Sequence, residues 1–164
     1  DPRCIELEHL GQGTGELLGT TSAKSLGSTK NAFRVGDVLF GKLRPYLRKY
    51  LRPSFDGVCS SEIWVLRSDT TLCLSEFLFY LIQSDRFIQT ANRTCGTKMP
   101  RADWDLIAEF SIPLPPLNYQ KSICGVLGEL DKELNCLRSL IDKAKIQKQA
   151  LMQKLLTGKI RVKV

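Results

Sequence analysis

Histidine is almost missing from this chain. His9 is the single one in 164 residues, which excludes any multi-histidine metal site. The cysteines at 4, 59, 73, 95, 124 and 136 never fall three apart, so there is neither a zinc knuckle nor a Cys-x-x-Cys redox pair. Long hydrophobic runs are missing too. The longest uninterrupted one, Phe77 to Ile82, is far short of the roughly 20 residues of a membrane helix. No charged-then-apolar leader opens the chain, so no secretory signal is expected, and Asp1 in place of Met suggests an upstream piece. With no such leader and enough length for an ordinary core, the cysteines read as reduced thiols and the expected compartment is the cytoplasm.

Acidic residues are scarce in two places. From Lys30 to Arg52 there are seven Lys and Arg (Lys30, Arg34, Lys42, Arg44, Arg48, Lys49, Arg52) against Asp37 alone, a local charge of +6. From Leu117 to Val164, ten Lys and Arg face Glu129, Asp131, Glu133 and Asp142, again +6. The whole chain carries +7, so the remainder is −5. Two separate basic segments in an otherwise acidic chain call for an acidic partner, nucleic acid before membrane. Apolar residues at 43% are enough for a real core.

Residues 1–32 are punctuated by glycine and read as loops with short strands. Gly11-Gln-Gly-Thr-Gly15 imitates part of a phosphate-binding loop but lacks the following Lys-Ser/Thr, so it reads as turns. Val35-Gly-Asp37 turns the chain into a strand at Val38–Phe40, and Gly57 to Leu66 is a second strand. Ser75 is expected to cap a helix carrying Phe77 to Ile82, and Ser84 or Asp85 a second one carrying Phe87, Ile88 and Ala91. Asp103 starts a short helical turn, and Glu109 to Ile112 is expected as a strand. Ile112-Pro-Leu-Pro-Pro-Leu117 then forbids helix and central strand and marks a domain boundary.

Beyond it, with Asn118 as N-cap, apolar residues recur in a 4-3-4-3 rhythm: Ile123, Leu127, Leu130, Leu134, Leu137, Ile141, Ala144, Leu151 and Leu155. This is a heptad seam interrupted by Lys148, and Gly158 is its natural C-cap. A helix from 118 to about 156 is on the order of 58 Å long. So long an apolar stripe calls for a partner helix.

The first basic segment interleaves cations with aromatics in Gly41-Lys-Leu-Arg-Pro-Tyr-Leu-Arg-Lys-Tyr50. Arg44 and Arg48 have the fork that suits guanine edges or phosphates, and Lys42 and Lys49 suit phosphates as point charges. Lys30 belongs to the same stretch, Asn31 has the amide that pairs with adenine, and Tyr46 the ring for stacking or a thymine methyl. The loop Thr94-Cys-Gly-Thr-Lys-Met-Pro-Arg101 adds Thr97, Lys98 and Arg101. Catalytic chemistry finds no footing. The one Pro-Pro pair, in Leu114-Pro-Pro-Leu117, has no acid or amide before it as an adenine methyltransferase loop would. Asp103 and Asp105 stand alone where a nuclease would cluster carboxylates, and nothing sets a cysteine beside His9. No catalytic residue, metal site or cofactor is therefore expected.

From about Ile5 to Ile160 the sequence resembles the DNA-specificity (S) subunits of type I restriction–modification systems. The resemblance lies in Glu8-His-Leu before a Gly-rich stretch, Phe33-x-x-Gly-Asp-Val-Leu-x-Gly-Lys-Leu-Arg-Pro-Tyr-Leu47, Phe55-Asp-Gly-Val-Cys-Ser60 and Gly96-Thr-x-Met-Pro-Arg101. It continues in Ile112-Pro-Leu-Pro-Pro-Leu117 with Gln120 and in a long helix ending Leu155-Leu-Thr-Gly158. It implies an α+β fold: a mixed α/β target-recognition domain, residues 1–116, then one long spacer and dimerisation helix with a basic tail, residues 117–164, that pairs as an antiparallel coiled coil. It implies a non-catalytic reader of one half of a bipartite double-stranded DNA target. The implied partners are methyltransferase (modification) subunits, a restriction subunit and a second copy of the chain. Family members usually carry two recognition domains and two helices; this chain has one of each, which suggests a half-subunit form. The readings from other classes are a coiled-coil scaffold for methyltransferase subunits that does not read DNA, and a homodimeric DNA-binding regulator without a restriction role.

Overall fold

The structure is a computed structural model that describes residues 2–23, 29–93 and 99–162. Two compact units are formed, residues 1–124 and 125–164. In the first, among the described residues, seven strands make two sheets. The strands are β1 (Arg3–Ile5), β2 (Thr21–Ser22), β3 (Lys30–Phe33), β4 (Val38–Gly41), β5 (Tyr50–Leu51), β6 (Gly57–Ser60) and β7 (Ile63–Leu66). One sheet has the order β2-β1-β6-β3, the other β5-β4-β7. β6 runs parallel to β1 and antiparallel to β3, with Lys30 opposite Ser60 and Phe33 opposite Gly57. The stretch expected as one strand over 57–66 is thus two strands that part at residues 61–62 and join different sheets. Gly57 is required by close approach: a Cβ there would lie 2.6 Å from the Arg3 carbonyl oxygen and 2.9 Å from Cζ of Phe33.

The second sheet is buried on both faces, which is why Val38, Leu39 and Phe40 are apolar in succession instead of alternating. Leu39, Leu51 and Ile63 pack with Ile5, Leu10, Phe33 and Cys59 of the first sheet side. Val38, Phe40 and Tyr50 pack with Ile82, Phe87, Ile88, Ala91 and Ile107 on the helical side.

The helical side comprises α1 (Ser75–Leu81), α2 (Asp85–Ala91) and α3 (Trp104–Ala108). Ser84 caps α2 as expected, its hydroxyl accepting from the Phe87 amide at 3.3 Å. Asp103 caps α3 by accepting from the Asp105 amide at 3.1 Å. Two local expectations are corrected. Ser75 is the first residue of α1, not its cap, and its hydroxyl donates to the Gly36 carbonyl. Glu109–Ile112 is not a strand: Glu109 ends α3, and Phe110 turns into the helical core, edge-on to Phe87 at 5.4 Å. That packing removes the segment from both sheets.

The last helix, α4 (Leu117–Leu156), is 40 residues long, about 60 Å at 1.5 Å per residue. Pro116, not Asn118, opens it: its carbonyl accepts from the amides of Tyr119 and Gln120 at 3.0 and 3.1 Å. Gly158, with φ +72°, ends it in the left-handed conformation that favours glycine. No helix among the described residues is long and apolar enough to cross a membrane. The five described cysteines are free thiols, and burial pushes Cys59 up to about 12.

Candidate nucleic-acid interface

β4 carries the chain out of the core into the basic segment. Past Gly41, the backbone of Lys42 bonds Glu62 and Ala102, and the Arg44 amide donates to the Pro100 carbonyl at 2.7 Å. An antiparallel bridge between Leu43 and Arg101 completes this seam. Residues separated by nearly sixty positions are thereby set side by side: Lys42 and Arg44 on one strand of the seam, Arg101 on the other. Arg44 then adopts φ +52° at the mouth of a 3-10 turn, Pro45–Leu47, and Arg48 leaves it at φ +51°. Left-handed backbone at a non-glycine residue costs on the order of 1 kcal/mol, and it throws the two arginines off the strand direction. Arg44 and Tyr46 are exposed, and Lys42 is half-buried. Lys42 and Arg44 have no ion-pair partner among the described residues. Arg101 is held by Glu62, whose carboxylate accepts from its Nε at 3.0 Å and raises the already high guanidinium pKa.

The other sequence candidates are engaged within the fold. Arg48 pairs with Asp85 and donates to the Gln83 carbonyl, tying the turn to α2. Lys49 donates to the Leu7 carbonyl at 2.6 Å. Lys30 pairs with Glu6, its side chain only 11% exposed; that bond raises the lysine pKa and, against the opposing effect of burial, lowers the carboxyl of Glu6. Asn31 donates its amide to the Ile63 carbonyl at 3.1 Å. Thr97 and Lys98 lie outside the described residues.

The reading of basic residues overlooked two tryptophans beside the seam. Trp104, 52% exposed, stands edge-on to Trp64 with ring centroids 5.4 Å apart. Trp64 stacks on Phe40 at 6.2 Å, Phe40 meets Phe87 at 5.2 Å, and Phe87 meets Phe110 at 5.4 Å. An unbroken aromatic series thus runs from the core to the surface. Two recesses flank its outer end, one of about 490 Å³ reaching Arg67 and one of about 360 Å³ reaching Lys42 and Arg101. Period-based reading passes over Trp104 because it is a lone aromatic in a polar stretch.

In the second unit, the seam residues Leu130, Leu134, Leu137, Ile141 and Leu151 are 48–53% exposed, and Leu127 and Leu155 are partly covered. Ile123, of the same seam but in the first unit, is 40% exposed. Val126 and Leu140 widen the apolar stripe beyond the positions of the heptad.

A family model described as the type I restriction modification DNA specificity domain matches residues 29–145. The chain belongs to this family. The match takes in both strands of the basic seam, Trp64 and Trp104, and α4 as far as Lys145. The type I restriction enzyme EcoDI specificity subunit of Escherichia coli is 27% identical over 165 residues, covering 98% of this chain and 36% of that protein. The MjaVIII specificity subunit of Methanocaldococcus jannaschii is 35% identical over 102 residues, 62% of this chain and 24% of that protein. Among solved structures, the HsdS subunit from Thermoanaerobacter tengcongensis superposes with a TM-score of 0.73 at 27% identity, covering 93% of this chain and 41% of that one. A structure bearing on complex assembly and conformational transition of the type I restriction–modification system gives a TM-score of 0.75 at 26% identity, over 98% of this chain and 43% of its counterpart. The specificity domain described here therefore spans less than half the length of the relatives it matches. The expected fold class, mixed sheets and helices followed by one long helix, agrees with these structures.

Proposed function

We propose that this specificity domain is a non-catalytic reader of double-stranded DNA within a type I restriction–modification system. It reads one half of a bipartite target with residues 1–116 and uses 117–164 as spacer and docking segment. One observation carries the reading: in a family defined by DNA specificity, the fold exposes Arg44 and Tyr46 and leaves Lys42 and Arg44 without acidic partners among the described residues, on either side of Leu43, the bridge partner of Arg101, with Lys42 and Arg101 lining one recess. Cations without partners are the groups that displace counterions from phosphates, and forked guanidinium groups read base edges. Lys30, Asn31, Arg48 and Lys49 have partners inside the fold, and Lys30 and Asn31 also line the recess that reaches Trp104 and Arg67. Thr97 and Lys98 extend the same loop in sequence.

The exposed seam of α4 is assigned to a second copy of the chain or to an equivalent helix in an antiparallel pair, with modification and restriction subunits assembling around it. A pair of this kind has two-fold symmetry, so two identical readers face a palindromic, split target. At about 3.4 Å per base pair, the 40-residue helix, about 60 Å long, limits the gap to roughly 17–18 base pairs. The test is to co-express the chain with its modification subunit and map methylated adenines in the host DNA. A bipartite recurring motif supports the reading. Methylation without sequence preference, or none, overturns it in favour of a scaffold that does not read DNA.

A further inference from the structure

Resting on the reading of this domain as a DNA reader, we infer that Trp104 is a specificity-determining residue that discriminates thymine by an apolar contact to its 5-methyl group in the major groove. Trp104 is half exposed beside two recesses, and tryptophan is enriched where binding energy concentrates. Trp104 is also held firmly. Its ring rests edge-on against Trp64 at 5.4 Å, and Trp64 is braced on Phe40, which is fully buried. The aromatic series fixes the indole before any partner arrives, so little side-chain freedom is lost on binding.

The surroundings point to duplex DNA as occupant. On one side of the indole, the recess of about 490 Å³ reaches Arg67, which is 62% exposed although Asp37 holds two of its nitrogens. On the other, the recess of about 360 Å³ reaches Lys42 and Arg101, and also Asp103, whose carboxylate is occupied as the cap of α3. An apolar rib between cations matches a base-pair edge between phosphates. In a stacked duplex the base faces are covered, and the apolar group offered at an edge is the thymine methyl. The indole is braced against Trp64 with a recess on either side, which suits contact with an edge better than wedging between base steps.

The test combines selection from randomised duplexes with a methyl deletion, using the whole chain. The wild-type protein is expected to prefer thymine at one position that Trp104→Ala no longer discriminates, with its other preferences and its salt dependence kept. Deoxyuridine at that position should weaken wild-type binding about 5- to 10-fold, the low end of a single-base effect, and leave Trp104→Ala unchanged. Trp104→Phe should retain part of the preference, and its far-ultraviolet circular dichroism and thermal midpoint report whether the fold is intact. An unaltered thymine preference in Trp104→Ala overturns the inference. So does a deoxyuridine penalty equal in both proteins, or a uniform loss of affinity on every sequence. A wild-type chain with no sequence preference at all instead overturns the DNA reading and takes this inference with it.

Discussion

Gln120 donates its side-chain amide to the Leu72 carbonyl at 2.8 Å across 48 positions of sequence. The same amide reaches the Pro115 carbonyl at 2.8 Å, and its oxygen accepts from the Leu74 amide at 2.8 Å. The residue is fully buried. One side chain thus fastens the first turn of α4 to the proline segment before it and to the loop that enters α1. Gln120→Leu keeps the volume but takes the partner from the Leu74 amide and from the Leu72 and Pro115 carbonyls, which are only partly buried. The expected loss is about 2–4 kcal/mol of stability, since each unsatisfied group costs about 1–3 kcal/mol and part is relieved by water. Denaturant unfolding measures it, and an unchanged midpoint would show that the network contributes nothing.

Asp37 is almost fully buried and accepts from Nε and Nη2 of Arg67, both at 2.7 Å, and from the Arg34 amide at 2.9 Å. The Arg67 bonds hold its carboxyl below the usual carboxylate range, against the opposing effect of burial. A depressed folded-state pKa means that the stabilisation is complete above the unfolded value, near 3.9. It is lost as pH falls below that value and through the folded one. Asp37→Asn should therefore lower stability by about 1–3 kcal/mol at neutral pH. The gap from wild type should narrow in thermal melts below about pH 4. A gap independent of pH would exclude the ion pair as its cause.

The basic seam separates roles that the sequence presents as equivalent. Arg44→Ala removes an exposed cation without an ion-pair partner, so the expected result is weaker DNA binding with the fold intact. The loss is about 1–3 kcal/mol and confined to one position of the target if the side chain reads a base. Lys42→Ala is expected to weaken binding on all sequences and to reduce the salt slope by about one. Arg48→Ala cuts the tie to Asp85 and Gln83 and should show first as lowered thermal stability. Binding titrations between 50 and 200 mM salt distinguish the three. For a pair of readers that together neutralise roughly 6–10 phosphates, affinity falls about 10³–10⁵-fold over that range.

Much of this architecture is legible in the sequence because the signal is local. Val38-Leu-Phe40 is apolar on both faces, and β4 lies buried between the two core clusters. The 4-3-4-3 rhythm after Pro116 gives one helix of nearly the expected length. Ser84 and Asp103 have the side chains that N-caps require and do cap. What stayed hidden depends on distant partners. Nothing near Arg48 announces Asp85, 37 positions away, and nothing near Lys49 announces Leu7. Glu109–Ile112 reads as a strand until Phe110 is seen against Phe87. Trp104 has no period to betray it, and its meaning comes from Trp64, Phe40 and the cations Lys42 and Arg67 brought to it from two other segments. Gln120 is visible as part of a motif, while its hydrogen bonds to the loop at 72–74 are not.

The exposed seam on α4 leads to the last prediction. Leu130, Leu134, Leu137 and Ile141 are each about half exposed and stand on one stripe, and burying such side chains contributes about 1.5–3 kcal/mol each before the cost of association. The isolated chain is therefore expected to sediment as a dimer, at twice its 18.5 kDa. Lys148 on the seam should set register at some cost in stability, as polar residues do at core positions of coiled coils. Lys148→Leu should tighten the dimer and loosen its choice of alignment. Leu134→Asp combined with Ile141→Asp should yield a monomer whose first unit keeps its near-ultraviolet spectrum. That monomer should bind a half-site with a salt slope about half that of the dimer. A wild-type chain that sediments as a monomer at micromolar concentration would remove self-pairing and leave the stripe to a helix of another protein.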